Sequence, residues 1–363
     1  MNRIKNFFAG KWGIIVTGII IGLAAIALQY FGNPKNMGFC IACFTRDIAG
    51  AIGLHRAGVA QYLRPEIIAI VLGSFLIAVL TREFKPRGGS SPIIRFLLGM
   101  FAIIGSLVFL GCPWRAILRL GGGDLNAIFG IGGLMAGIYL GTIFLKGGYD
   151  LGRSRKMKAT AGLIFPGIMI GLLALIIVFP QVSGIIKSGI LFYSTKGPGA
   201  MHAPVLISLA VGLIVGIIAQ RSRFCTIGGF RDLFLFKQFH LISGAVSLLL
   251  TVFVLNLLLG TFNLGFEGQP VAHSSWAWNF LGMVLAGLAF ALAGGCPGRQ
   301  LVLAGEGDTD AAMFSLGMLT GAGVAHNFLL TASPKGIGAH SAFAVIFGLA
   351  VLVLIGFFNK EEV

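Results

Sequence analysis

Long apolar segments alternate with short polar ones along nearly the whole chain. Most of these segments carry no charge for about 20 residues, and a helix of that length crosses a hydrocarbon core of roughly 30 Å. The pattern predicts an all-α polytopic membrane protein with about nine or ten transmembrane helices. We place the spans at about 12–31, 65–81, 92–112, 125–146, 160–180, 203–220, 240–260, 276–296, 310–330 and 341–358.

The composition supports the membrane class. Hydrophobic residues make up 56% of the 363 residues, charged residues only 11%, and the mean hydropathy is +0.93. A soluble domain carries about 25% charged residues. The 55 glycines are also typical of a membrane protein, because small residues let helices approach one another closely in lipid.

The net charge of +15 is explained by topology. If the N-terminus is cytoplasmic, about two thirds of the 27 basic residues lie on the cytoplasmic side, chiefly in 82–87, 146–158 and 221–237. An excess of Lys and Arg in cytoplasmic loops is the positive-inside rule. We therefore expect both termini in the cytoplasm, a lipid bilayer around the protein and no nucleic-acid partner.

One short string occurs twice. Gly-Cys-Pro-x-Arg occupies 111–115 and 295–299, and each copy follows a long apolar segment. An aspartate comes thirteen residues after the first glycine of each copy, as Asp124 and as Asp308. The two copies are offset by 184 residues, which indicates a duplicated segment.

A second string is duplicated at nearly the same offset. Phe-Cys occupies 39–40 and 224–225, and an Arg-Asp pair follows each copy at 46–47 and 231–232, an offset of 185 residues. A glycine ridge repeats as well, because Gly133 and Gly137 correspond to Gly317 and Gly321. We interpret this ridge as helix packing.

The duplication divides one transmembrane domain, 1–363, into parts. Each repeat contains four full spans, and a single linker span then brings the second repeat in from the opposite side. The repeats are therefore expected to be inverted, with short re-entrant helices in 37–58 and 222–236, as in many transporters. The predicted parts are a first repeat at 12–146, a linker span and outer loop at 147–202, a second repeat at 203–330 and a C-terminal helix at 331–363.

The Gly-Cys-Pro string predicts a broken helix. Proline lacks an N–H and disfavours helical geometry in the residue before it, but it suits the first turn of a new helix. Cys112 and Cys296 are then N-caps, where free N–H groups and the positive end of the helix dipole favour an anion. The following arginines, Arg115 and Arg299, could attract an anion or pair with Asp124 and Asp308.

The Phe-Cys string predicts a cysteine near the start of a short helix, with the Arg-Asp pair about two turns later. Opposite charges this close neutralise each other locally or across the repeats, since isolated charges are costly in a membrane. The residues concerned are Arg46, Asp47, Arg231 and Asp232. Electrostatic lining of a substrate pathway is the alternative role.

The cysteines predict a pathway. In this topology Cys40 and Cys112 belong to the outer half of the membrane, and Cys225 and Cys296 belong to the inner half. A protonated thiol is a weak, polarizable donor that suits a ligand with its own soft sulfur or selenium atom. Weak sequential contacts favour passage, because one deep well would trap the substrate.

Metal and cofactor sites are not predicted. Cys40 and Cys43 form the only Cys-x-x-Cys pair, and no histidine cluster accompanies it. Cys43 has no thiol counterpart, since Gly228 stands at the equivalent position. Pairing with Cys40 as a redox switch is one role that stays open for it.

With these motifs, the chain resembles the YeeE/YedE family of bacterial inner-membrane sulfur transporters, and within it the YedE-type branch linked to selenium metabolism. The resemblance implies an hourglass-shaped inverted-repeat fold and passage of thiosulfate through a narrow pore. It also implies that essential cysteines line this pore, which here are Cys40, Cys112 and Cys296. Cys43 and Cys225 are additional thiols that leave room for a selenium-containing substrate.

The leading hypothesis is therefore an importer of a small sulfur or selenium species rather than an enzyme. One alternative is a membrane thiol enzyme that passes persulfide or selenide to a partner. Another is a subunit that feeds a small cytoplasmic sulfurtransferase-like protein near Arg231 and Arg299.

Overall fold

A computed structural model describes residues 7–8, 10–180 and 190–360. Residues 181–189 of the predicted outer loop lie outside the described residues. A two-stranded antiparallel ladder joins β1 (Arg87–Gly88) to β2 (Arg155–Lys156). The helices are α1 (Lys11–Tyr30), α2 (Ile41–Ala51), α3 (Pro65–Leu80), α4 (Pro92–Phe109), α5 (Pro113–Gly121), α6 (Asn126–Lys146), α7 (Ala159–Val178), α8 (Val205–Ser222), α9 (Thr226–Phe236), α10 (His240–Leu258), α11 (Trp276–Ala293), α12 (Pro297–Gly305), α13 (Thr309–Asn327) and α14 (Ser341–Phe358).

The predicted all-α membrane architecture is confirmed. Each of the ten predicted spans coincides with a helix whose ends lie within about three residues of the expected ones. In the described part of the chain, eight segments are long and apolar enough to cross a membrane, and α3 is a shorter apolar helix. The protein is therefore a multi-pass membrane protein.

The helix breaks also follow the sequence. Prolines occupy the first turn of α5 and α12, which begin four residues after α4 and α11 end. The breaks use left-handed residues at equivalent positions, Leu110 with φ 61° and Gly294 with φ 83°. Such a residue ends a helix because its conformation cannot continue the turn.

The two halves correspond element by element. Helices α2 and α9 have the same length at an offset of 185 residues, and the pairs α4/α11 and α5/α12 match at an offset of 184. Packing is reciprocal across the halves, because α1 lies against α10 while α8 lies against α3. In the same way α6 lies against α11, and α13 lies against α4.

Loop contacts define two faces of the molecule. At the first face the β ladder joins two loops, and Tyr149 bridges to Lys360. At the second face the Asn33 side chain accepts a hydrogen bond from the Ala203 N–H at 2.8 Å. Helix α1 therefore ends at the face where its counterpart α8 begins, so these two equivalent helices run in opposite directions.

Close glycine contacts hold the spans together. A Cβ atom on Gly133 of α6 would collide with the Phe280 carbonyl of α11, and one on Gly317 of α13 would collide with the Phe96 carbonyl of α4. These glycines are equivalent residues, and they make equivalent contacts across the two halves. The interpretation of the ridge as helix packing is confirmed.

Candidate functional site

Four cysteines cap the four short helices. Cys40 and Cys225 are the N-caps of α2 and α9, and Cys112 and Cys296 are the N-caps of α5 and α12. These helices are 9 or 11 residues long, which is about 14–17 Å and too short to cross a bilayer. The predicted N-cap positions of Cys112 and Cys296 are therefore confirmed.

The capping bonds hold three of these sulfurs in place. The Cys40 sulfur accepts from the Cys43 N–H at 3.3 Å, and the Cys225 sulfur accepts from the Gly228 N–H at 3.2 Å. Cys296 accepts from the N–H of the third helical residue, at 3.3 Å. Cys112 makes no side-chain cap bond of this kind, although its sulfur interacts with the backbone of Arg115 and of Ala42.

The first cysteine cluster consists of Cys40, Cys43 and Cys112. All three are fully buried, and the Cys40 thiol interacts with both of the others. The Cys43 sulfur lies 3.6 Å from Nη1 of Arg115. The fold therefore brings three thiols and one guanidinium together at the start of α2 and α5.

The second cysteine cluster consists of Cys225 and Cys296. The Cys225 sulfur accepts a hydrogen bond from the Cys296 N–H at 3.4 Å, and the two thiols interact. Both are buried, although Cys225 retains 6% of its surface. Each half of the protein thus joins its own pair of capping cysteines into one cluster.

Arg115 closes the first cluster at the second face. It is fully buried, and its guanidinium donates to the carbonyls of Asn36 at 3.2 Å, Pro270 at 3.2 Å and Val271 at 3.1 Å. It also donates to the Leu110 carbonyl at the break after α4. One side chain therefore ties two loops to the helix break above the cysteines.

His273 also holds the loop that covers the first cluster in place. Burial lowers the pKa of His273 below its ordinary value. Its Nε2 donates to the Val108 carbonyl at 2.8 Å, and Nδ1 accepts from the Ser275 N–H at 3.2 Å. The loop over the first cluster is thereby attached to the end of α4.

The second cluster lies beside an open cleft at the first face. Arg299, whose N–H caps the Cys296 sulfur, lines a cavity of about 470 Å³. Five basic residues and two carboxylates line it, so the cleft has a positive balance. The lining residues are Thr81, Arg82, Glu83, Lys85, Arg87, Gln220, Arg223, Arg299 and Glu306.

The Arg-Asp pairs neutralise each other locally in both halves. Arg46 and Asp47 are joined at 2.6 Å in a buried site, and Arg231 and Asp232 at 2.9 Å in a partly exposed one. Sequence reasoning missed Arg64, whose guanidinium lies 2.7 Å from the other Asp47 oxygen. Asp47 therefore balances two buried arginines, one of them from outside the motif.

Of the two roles considered for Arg115 and Arg299, pairing with Asp124 and with Asp308 is wrong. Asp124 pairs with Arg119 at 2.6 Å, and Asp308 pairs with Arg87 at 2.8 Å. Arg115 lies in the first turn of α5 and reaches back to the break before it, whereas Asp124 follows the end of that helix. Arg299 instead lies 3.4 Å from Glu306.

Metal ligation has no geometric support in the described ranges. No group of three or more His, Cys, Asp or Glu side chains there is placed to hold a metal ion. The five cysteines are free thiols. The proposed Cys40–Cys43 redox pair stays a prediction.

The chain is similar to a family and to two proteins whose descriptions all concern the transport of sulfur compounds. Residues 221–359 match the family described as Sulphur transport. The chain is 33% identical over 111 residues to the thiosulfate transporter TsuA of Escherichia coli K12. It is 36% identical over 103 residues to the thiosulfate transporter TsuA of Spirochaeta thermophila. The alignments cover 30% and 28% of this chain, and the chain spans 30% and 31% of the lengths of these relatives.

Proposed function

We propose that the chain belongs to the YeeE/YedE family of sulfur transporters and imports a small sulfur anion of the thiosulfate type. The match of residues 221–359 to the family described as Sulphur transport supports this assignment. Two of its relatives are named thiosulfate transporters. The pathway passes the first and then the second cysteine cluster, in a bacterial inner membrane.

The observation that carries this proposal is the placement of the two clusters. Each lies at the N-terminal ends of two short helices inside a membrane protein. Free N–H groups and the positive ends of the dipoles favour an anion there. Thiols add weak, polarizable contacts to a soft sulfur atom, so the anion is held without a deep well that would stop its passage.

The charges at the two faces support an orientation for the protein in the membrane. The first face carries basic segments such as 82–87 and 153–158, which the positive-inside rule places in the cytoplasm. The cleft lined by Arg299 then opens to the cytoplasm, and Arg115 closes the path on the outside. Both termini are cytoplasmic in this orientation.

The substrate is an anion with a terminal soft atom. Thiosulfate offers such a sulfur to the thiols and three sulfonate oxygens to N–H donors. A selenium analogue such as selenosulfate has the same shape and charge with a softer terminal atom, which suits the additional thiols of Cys43 and Cys225.

Uptake of labelled thiosulfate into proteoliposomes that contain this protein alone tests the proposal. We expect the wild type to accumulate label, and Cys112→Ala and Cys296→Ala to lose most of that uptake. Gly171→Ala is the matched control, because nothing lies within 4 Å of the new Cβ on α7. Undiminished uptake by both cysteine variants would rule out the cysteine pathway.

A panel with selenosulfate and sulfate in the same vesicles defines the substrate class. If uptake appears only after a soluble sulfurtransferase is added, the protein is a subunit that hands sulfur to a partner. A persulfide trapped on Cys40 or Cys43 during turnover would favour a membrane thiol enzyme.

A further inference from the structure

Trp114 connects the two cysteine clusters. It is the largest of the fully buried side chains and retains 1% of its surface. Its indole makes T-shaped contacts with Phe39 at 6.4 Å and with Phe224 at 5.8 Å between ring centroids. These phenylalanines directly precede Cys40 and Cys225, so one ring contacts the residue before a capping cysteine in each cluster.

The Trp114 ring occupies a space that would have to be shared with a side chain at the equivalent position of the second half. That position is therefore a residue without a side chain. Gly298 is the residue equivalent to Trp114 in the second Gly-Cys-Pro-x-Arg string. A Cβ on Gly298 would lie 2.8 Å from Cζ2 of Trp114, which is too close for a side chain. The two equivalent positions therefore meet, and the indole of one lies over the backbone of the other, two residues after Cys296.

Two buried donors close in sequence or in space to the second cluster have no partner within the described residues. They are Nε1 of Trp114 and Oγ1 of Thr226, and both residues are 1% exposed. Thr226 directly follows Cys225. The atom bonded to Nε1, Cε2, lies 3.1 Å from the Cβ position of Gly298, so this edge of the indole is directed to the start of α12. A buried donor without an acceptor is costly, which indicates that a ligand satisfies it during function.

We propose that Trp114 is the substrate-contacting barrier between the two cysteine clusters. Its ring closes the path at rest, and its indole N–H donates to a sulfonate oxygen of the anion as the anion passes from Cys40 and Cys112 to Cys225 and Cys296. The Thr226 hydroxyl is the second oxygen donor. The inference rests on the proposed transport of a thiosulfate-type anion. It assigns to Trp114 the selection of thiosulfate over other anions.

Two substitutions of Trp114 test its two proposed roles, hydrogen-bond donor and barrier, separately. Trp114→Phe keeps an aromatic ring without the N–H, and we expect thiosulfate uptake to fall about tenfold, the effect of losing one hydrogen bond to a charged group. Trp114→Ala removes the barrier, and we expect the preference for thiosulfate over sulfate to fall about tenfold. Thr226→Val removes the second donor and lowers uptake in the same direction as Trp114→Phe.

Fluorescence gives a readout that does not depend on transport. Replacing Trp12, Trp276 and Trp278 by Phe leaves Trp114 as the only indole, and thiosulfate, but not sodium chloride at equal ionic strength, should then change its emission. Wild-type uptake together with unaltered rate and selectivity in the Trp114 variants would overturn this inference and leave the proposed function standing. A wild type that takes up no thiosulfate would overturn both.

Discussion

Arg115 and Arg299 are equivalent residues of the two repeats, and they have opposite environments. Arg115 is fully buried and binds four backbone carbonyls, whereas the Arg299 side chain is 14% exposed and lines the open cleft. The same motif therefore closes the protein at one face and leaves it accessible at the other.

Arg115→Ala should lower the free energy of unfolding by about 3 kcal/mol or more, because several buried carbonyls lose a charged donor. Arg299→Ala is the matched control and should cost about 1 kcal/mol or less, since Arg299 has one partly exposed partner at 3.4 Å. Thermal unfolding in detergent measures both. Equal losses would contradict the assignment of Arg115 as the closing residue.

Asp47→Asn should destabilise the protein by about 3–5 kcal/mol, because two buried arginines would lose their counter-charge. Asp232→Asn at the equivalent position should cost about 1 kcal/mol or less, since Arg231 and Asp232 are 33% and 19% exposed. Denaturation of the two variants side by side is the measurement. A larger loss of stability for Asp232→Asn than for Asp47→Asn would contradict the conclusion that Asp47 neutralises two buried arginines.

Gly137→Ala should destabilise the packing of α6 on α11 by about 1–3 kcal/mol, because its Cβ would collide with the backbone carbonyl of Val284. Gly171→Ala should be neutral or stabilising by up to about 1 kcal/mol, since the new Cβ meets nothing within 4 Å. The melting temperatures of the two variants show whether helix packing or helix propensity determines the effect of a glycine-to-alanine change. Stabilisation by both would favour propensity.

Neutralising the cleft should slow entry of anions from the first face. With Lys85→Gln and Arg223→Gln combined, we expect entry of labelled thiosulfate from that face to fall about two- to tenfold at low salt. The dependence of this rate on salt should weaken too, because fewer charges remain to be screened. Lys335→Gln, in the exposed loop after α13 and outside the lining of the cleft, is the control and should leave the rate unchanged.

Local signals account for what could be predicted about the site. Proline after cysteine placed Cys112 and Cys296 at N-caps because proline acts on its immediate neighbours. The adjacent Arg46 and Asp47 pair with each other for the same reason. By contrast, Arg64 reaches Asp47 from seventeen positions away, and no spacing rule connects them.

The repeat predicted that the two halves have equivalent structures. The sequence showed where they differ only as a change of residue at one position of the repeated string. Trp114 and Gly298 are the variable residues of the two Gly-Cys-Pro-x-Arg strings. Nothing in either string indicates that these positions meet, because their contact depends on how two short helices from opposite halves approach each other.

The sequence by itself determined the membrane class, the positions of ten long helices, the duplicated strings and the capping cysteines, since apolar length and helix breaks depend on neighbouring residues. Only the tertiary structure decided that the cysteines of each half contact one another, which carboxylate each arginine pairs with, and which face is closed. Those outcomes depend on the distances between helices that are far apart in the chain, and packing across the two halves sets these distances.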